Sequence, residues 1–406
     1  MGPHVPHAAT TVSQAERLMQ AGNFESAAEI LEGVVAESPT LEALYLLATS
    51  CLEIGRNESA LRYATAAVEK DPSSAPARDL LGKANLSLGQ LDSALAEYVT
   101  LAALCREQQQ APPAQFSIPA HFALHNIEQL EYILAANGES AGAMAEQLDV
   151  LRRGLLNVID EADGEAPWVS VPGKGNQLLA DPPYVRVSEE RLPRYVNTAV
   201  DYGSIQQGVL AGEKVHVIDD FLTSEALEQV RTFCLESTVW RHPYKFGYVG
   251  GFAQDGFAST SLFAIAEETI AALGDAFDGY QFAAWWGFVY NANLPGTDIH
   301  GDDADFSLNL WITPDSANLD PESGGLVIWD AAAPSDWSFD EYNSGGERVR
   351  NYLDERNAES QVIPHRANRA VLFEGHLFHK TDEFTFAPGF ENRRRSLTFL
   401  FRRRKP

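Results

Sequence analysis

The sequence predicts a multidomain α plus β protein, with a solenoid of helical hairpins at the N-terminal end and an antiparallel jelly-roll barrel at the C-terminal end. Two observations carry this. Landmark residues recur at a fixed interval over the first hundred positions: Gly22, Gly55 and Gly89, then Ala27, Ala60 and Ala94, then Pro39 and Pro72. From about residue 215 the texture changes to short apolar and aromatic runs separated by Gly, Pro and Asp.

The interval between the glycines is 33 and 34 residues. Each Gly is placed to end a helix, where a residue without Cβ turns the chain. Each Ala falls where two helices approach closely. Each Pro follows a second helix, which it cannot continue. The middle unit, with Leu44, Leu47, Ala48, Gly55, Ala60, Ala64, Ala67 and Pro72, resembles the tetratricopeptide repeat. About three such units fill residues 8–108, within a repeat domain at 1–110. The resemblance implies a curved solenoid whose concave face suits a protein or peptide partner, a scaffolding role or dimerisation.

Residues 111–119 break the helical pattern with three prolines. Residues 121–136 resume it with Leu124, Ile127, Leu130 and Leu134 on one stripe, and another helix is expected near 141–160. These are read as bridging helices over 111–165. His121 and His125 lie four apart on one helical face, but no carboxylate or third ligand is near in sequence, so a structural or surface role is expected. Residues 163–213 look irregular and are read as a connecting segment, bounded at 166–214.

The barrel is expected over 215–406. It opens with the apolar strand 215–222, followed by a helix with Ser224 as its N-cap. Strands are expected at 280–290, 305–312, 324–329, 369–373, 376–380 and 395–401. The insertion 331–360 carries Trp337, Phe339, Tyr342 and Tyr352, and is read either as a lid or as a surface excursion.

Three places in the barrel carry chemistry. His300 and Asp302, two apart at a strand mouth, project to one side and suit Fe(II). A third ligand must come from a distant strand, where His379 and His376 compete. The run Arg393-Arg394-Arg395 enters an apolar strand, where a guanidinium needs an anionic partner such as a dicarboxylate. Asp298, Asp302, Asp303 and Asp305 also crowd one turn, which makes calcium a rival, although the neighbouring histidine disfavours it.

In this order, H-G-D, G-G-L-V-I-W, F-E-G-H-L-F-H-K-T-D and E-N-R-R-R-S-L-T-F-L-F resemble the iron- and 2-oxoglutarate-dependent oxygenase superfamily, in its prolyl-hydroxylase-like branch, over roughly residues 215–403. The resemblance implies a double-stranded β-helix with supporting helices. It implies His300, Asp302 and His379 as the ligands of Fe(II). It implies Arg394 as the grip on 2-oxoglutarate, with Ser396 as its companion and Arg393 as the second candidate. Tyr290 corresponds to a position that hydrogen-bonds the co-substrate, and Asn309 and Trp311 are candidates for the pocket wall. Arg394 lies 15 positions after His379, longer than the family's usual spacing, because of the stretch FTFAPGFEN. O2 is the implied oxidant and hydroxylation of an unactivated C–H bond the implied outcome. Asp302 argues against halogenation, for which related enzymes give up that carboxylate.

A protein or peptide side chain is the first expected substrate, because repeats can present one. A small molecule or amino acid is the alternative, and a non-catalytic repeat adaptor with an inert barrel is the alternative of another class. The net charge of −27 argues against nucleic acid, whose binding is driven by phosphate neutralisation. No run of about 18 apolar residues is present, so no membrane span is expected. The start MGPHVPHAATT lacks the pattern of a secretory leader. Three scattered cysteines suit a reducing compartment, and a cytoplasmic location is expected.

Overall fold

The structure is a computed structural model that describes residues 5–108, 115–138, 142–160, 168–172, 177–244, 247–291, 296–343 and 346–405. The proline-bearing stretch 111–114 and residues 161–167 and 173–176 lie outside the described residues. The chain forms two compact units: Met1–Gln108 with Asp278–Ala283 and Arg402–Pro406, and Gln109–Phe277 with Ala284–Phe401.

The first unit contains α1 (Val5–Gln20), α2 (Phe24–Glu37), α3 (Leu41–Glu53), α4 (Asn57–Lys70), α5 (Ala75–Ser87) and α6 (Leu91–Gln108). Gly22, Gly55 and Gly89 follow α1, α3 and α5 with φ of 74°, 77° and 70°, which is why glycine recurs there. Asn23, Thr40 and Ser74 cap α2, α3 and α5 through side-chain oxygens that accept from the N–H groups of Ser26, Ala43 and Ala77. Ala27, Ala60 and Ala94 are fully buried. Ala27 and Ala60 pack with Leu31, Leu47, Cys51 and Leu81 in the central cluster, where a small side chain lets neighbouring helices close in.

The second unit begins with β1 (Gln115–Pro119), α7 (Ala120–Ala136), α8 (Ala143–Asp160) and β2 (Trp168–Pro172), the two strands pairing antiparallel. Helix α9 (Tyr202–Ala211) forms inside the segment expected to be irregular; its two glycines weaken the helical signal. Next come β3 (Val215–Ile218), α10 (Ser224–Glu236), β4 (His242–Pro243), β5 (Tyr248–Gly251) and α11 (Thr260–Leu273). The N-cap of α10 is Thr223, not Ser224. Thr223 has extended backbone and its hydroxyl accepts from Ala226 N–H, whereas Ser224 is already helical. The remaining elements are β6 (Tyr280–Tyr290), β7 (Phe306–Trp311), β8 (Leu326–Ala332), α12 (Phe339–Asn343), α13 (Gly346–Glu355), β9 (Ser360–Ile363), β10 (Ala370–Glu374), β11 (Leu377–Thr381) and β12 (Arg395–Arg403).

Among the described residues, one sheet runs β3-β10-β7-β12-β6-β5-β4 and a second runs β11-β8-β9. The pairings within both are antiparallel. The two sheets face each other as a jelly-roll, double-stranded β-helix: Trp311, Val371 and Phe373 of the large sheet share a buried cluster with Leu326, Ile328, Ile363 and Leu377 of the small one. The Gly-Gly pair before β8 has a steric cause. A Cβ on Gly325 would stand 1.9 Å from the Ile363 carbonyl oxygen, and Gly324 has a φ of 86°. The insertion 331–360 is a packed element with its own core, because Val349 and Leu353 of α13 and Tyr342 of α12 bury themselves against Ile299 and Phe378. No helix among the described residues is long and apolar enough to cross a membrane.

Candidate active site

His300 and His379 are brought together by backbone pairing. Each donates its N–H to the other's carbonyl, at 3.0 and 2.9 Å, in an isolated antiparallel bridge between the segment before β7 and β11. Asp302 N–H donates to the Gly375 carbonyl at 2.8 Å, which fixes the second ligand candidate beside the same crossing. The result is a compact group: one ligating atom from each of His300, Asp302 and His379 lies within 4.8 Å of the others.

The histidine tautomers follow from their partners. His300 Nδ1 lies 2.8 Å from the Asp298 carbonyl, and His379 Nδ1 lies 2.9 Å from the Leu377 carbonyl. A carbonyl only accepts, so each Nδ1 carries the proton and each Nε2 presents a lone pair. These lone pairs face Asp302, at 3.8 Å from Oδ1 and 3.7 Å from Oδ2. Burial pushes the His379 imidazole down to about 4; His300 adds to the shift and Asp302 opposes it. Ser307 on β7 donates its hydroxyl to Asp302 Oδ2 at 2.6 Å and so orients the carboxylate. Two imidazole Nε2 atoms and a buried carboxylate turned toward one another form a donor set that suits a divalent cation. The donor set therefore fits the implied metal. Replacing Ser307 by alanine is expected to weaken that binding by about 10-fold or more, as lost outer-shell support does; competition with a chromophoric chelator measures it.

The same pocket holds the arginine. Arg394, Ser396 and Thr398 alternate along the entry to β12, and all three line the cavity with Tyr290, Thr297, Asn309, Leu326 and Thr381. Arg394 is 1% exposed. Its Nε donates to the Gly324 carbonyl at 2.6 Å and its Nη2 to the Gly325 carbonyl at 3.0 Å. The guanidinium lies 4.5 Å from the centre of the Tyr290 ring. Its Nη1 is buried and finds no hydrogen-bond partner among the described residues. Burial lowers the Arg394 pKa, while Tyr290 and Asp382 pull it upward. For Tyr290, burial alone raises the phenol; the Arg394 charge and hydrogen bonds with Thr297, Thr381 and Ser396 outweigh it, so its pKa falls below the usual value. A buried cation with a free N–H at a pocket wall fits an incoming carboxylate.

The other arginines of the run turn elsewhere. Arg393 does not reach the pocket: its Nη2 pairs with Glu128 on α7 and its Nη1 contacts His125 Nδ1 at 3.4 Å. Arg393 closes the 3-10 turn Phe390–Asn392 before β12 begins, and its side chain turns to α7 while that of Arg394 enters the pocket. Arg395 donates to the carbonyls of Phe390, Glu391 and Arg393, and burial pushes its pKa down to about 9. His376 is exposed and precedes β11, while a register shift between Leu377 and His379 helps turn His379 inward. His121 and His125 are buried rather than on the surface; burial pushes His121 down to about 4, and Arg393 adds to that. Asn309 lines the pocket and accepts from Thr398 Oγ1 at 2.8 Å. Trp311 packs 5.9 Å from the Arg394 guanidinium. Asp303 and Asp305 are exposed, and Asp298 is paired with Arg350, so the acidic residues do not converge as calcium would require.

Sequence reasoning missed Ser307, Thr297, Thr381, Thr398, Trp286 and Phe288. Ser307, Asn309 and Trp311 share one face of β7, so the alternation that suggested Asn309 also pointed to Ser307.

The tetratricopeptide repeat family model matches residues 12–75 and 45–112. No curated protein matches the chain. Among solved structures, the non-heme alpha ketoglutarate dependent epimerase SnoN from nogalamycin biosynthesis is similar at 14% identity, over 50% of this chain and 84% of that one, with a TM-score of 0.37. The non-heme alpha ketoglutarate dependent carbocyclase SnoK from nogalamycin biosynthesis is similar at 14% identity, over 48% and 82%, with a TM-score of 0.37. PcrH from Pseudomonas aeruginosa is similar at 15% identity, over 38% and 96%, with a TM-score of 0.25.

Proposed function

We propose that this chain is an iron(II)- and 2-oxoglutarate-dependent oxygenase that hydroxylates an unactivated C–H bond. The observation that carries the reading is a combination. Two Nε2 lone pairs and a buried carboxylate converge in the pocket that also holds a buried arginine with a free N–H. The triad alone also suits zinc. Arg394 adds what a simple metal hydrolase does not need, a cation set to hold a dicarboxylate.

In this reading His300, Asp302 and His379 hold the iron, and Asp298 and Leu377 keep both imidazoles in the ligating tautomer through their carbonyls. Arg394 takes the far carboxylate of 2-oxoglutarate, and Tyr290 and Ser396 complete the polar end of the site. Leu326 lines the pocket and Phe373 lies 4.8 Å from the His379 ring, so both would help exclude water beside the three ligands. Bound there, iron with 2-oxoglutarate and O2 supplies the oxidising equivalents, and the co-substrate leaves as succinate and carbon dioxide.

A protein or peptide side chain is the first substrate reading, since tetratricopeptide repeats offer a partner-binding face. A small molecule is favoured by one observation: Trp286 and Phe288, both half-buried, form an aromatic wall in the same pocket. Succinate formation from 2-oxoglutarate tests the activity. Succinate that requires both Fe(II) and O2 is expected. Metal-loaded protein that leaves 2-oxoglutarate untouched contradicts the oxygenase and leaves the repeat adaptor with an inert barrel as the better reading.

A further inference from the structure

The insertion between β8 and β9 reaches the iron-site candidate from behind. Gly301, the residue between His300 and Asp302, gives both of its backbone hydrogen bonds to α12. Its N–H donates to the Tyr342 carbonyl at 3.1 Å, and its carbonyl accepts from Asn343 Nδ2 at 3.1 Å. Asp298, whose carbonyl holds His300 Nδ1, is gripped by α13: Arg350 Nη2 lies 2.8 Å from both of its carboxylate oxygens. The apolar contacts follow the same plan. Ile299 precedes His300 and Phe378 precedes His379, and both are buried in one cluster with Tyr342, Val349 and Leu353 of the insertion.

We propose that α12 and α13 are a positioning element for the metal ligands, with Asn343 and Arg350 as its polar contacts. The inference rests on the oxygenase reading of the site and adds a role for a segment outside the pocket. Asn343 fixes the peptide that links the two ligands of the H-G-D turn. Arg350 fixes the residue whose carbonyl selects the His300 tautomer. Neither side chain lines the cavity, so each acts through the backbone of the ligand turn. Support of this kind sets how closely first ligands hold their geometry before the metal arrives.

The test compares wild type, Asn343→Ala, Arg350→Met, Arg350→Lys and His379→Ala. Fe(II) dissociation constants are measured anaerobically, together with the ligand-field spectrum of the Co(II)-substituted protein and thermal unfolding of the metal-free protein. Arg350 and Asp298 are both partly exposed, and exposed ion pairs contribute little to stability. Arg350→Met is therefore expected to leave the metal-free melting temperature almost unchanged. Asn343→Ala and Arg350→Met are expected to raise the dissociation constant about 10-fold, the lower end for outer-shell partners. Arg350→Lys is expected to recover part of the loss, and the Co(II) bands are expected to shift in both weakened variants. Wild-type constants and spectra in Asn343→Ala and Arg350→Met, with His379→Ala unable to bind, overturn the inference and leave the oxygenase reading standing. Absence of saturable binding in wild type overturns both.

Discussion

His379→Ala is expected to lose metal binding by more than about 100-fold, because a ligand is worth more than the outer-shell partners that cost 10–100-fold. His379 is 3% exposed, and its Nε2 is directed at Asp302 from β11. Its removal leaves two donors, too few to hold a divalent cation against water. The strand itself is expected to survive: His379 pairs through its backbone with Ile328 and His300, and those bonds do not need the side chain. His376→Ala supplies the control. That residue is exposed and lies before the strand, so the variant is expected to bind metal as wild type does. Metal content after dialysis, read by elemental analysis, separates the two. Equal metal content in both variants contradicts the assignment of the third ligand.

Arg394→Met is expected to weaken 2-oxoglutarate binding by about 2–5 kcal/mol, the range for removing one partner of a buried charge pair. That is about 30-fold to several thousand-fold in the dissociation constant. Methionine keeps most of the volume between Tyr290 and Trp311 but cannot meet a carboxylate. Arg394→Lys is expected to fall between the two. An ammonium offers a point charge, whereas the guanidinium already spends Nε and Nη2 on the Gly324 and Gly325 carbonyls and still has Nη1 free. A ligand that binds only the folded state raises its stability by mass action. Addition of 2-oxoglutarate to metal-loaded protein should therefore raise the melting temperature of wild type, less that of Arg394→Lys, and that of Arg394→Met hardly at all. An equal rise in all three contradicts the role given to Arg394.

The repeats were legible because each landmark has a steric cause. Gly22, Gly55 and Gly89 hold positive φ, and Ala27, Ala60 and Ala94 are fully buried. The main barrel strands were legible as aromatic and β-branched runs. The two-residue β4 and four-residue β5 were not, since elements that short are held by their neighbours rather than by their own pattern. Thr223 and Ser224 are adjacent cap-forming residues, and only the backbone angles distinguish them. Helix α13 left a readable signal, Val349 and Leu353 four apart, inside a segment marked only by its aromatic residues. In the site, order along the chain gathered His300, Asp302, His379 and Arg394. What sequence could not show was the direction of each arginine. Three consecutive guanidinium groups turn to three environments: Glu128 and His125 for Arg393, the pocket for Arg394 and a set of carbonyls for Arg395. Partners 265 and 268 residues away in sequence are set by packing, which local pattern does not encode.

Anaerobic titration of the wild-type protein with Fe(II) and 2-oxoglutarate tests the central claim most directly. A weak visible charge-transfer band is expected, saturating at one equivalent of each. It should persist in His376→Ala, vanish in His379→Ala and require far more 2-oxoglutarate in Arg394→Met. Iron that binds without such a band at any concentration of 2-oxoglutarate contradicts the account.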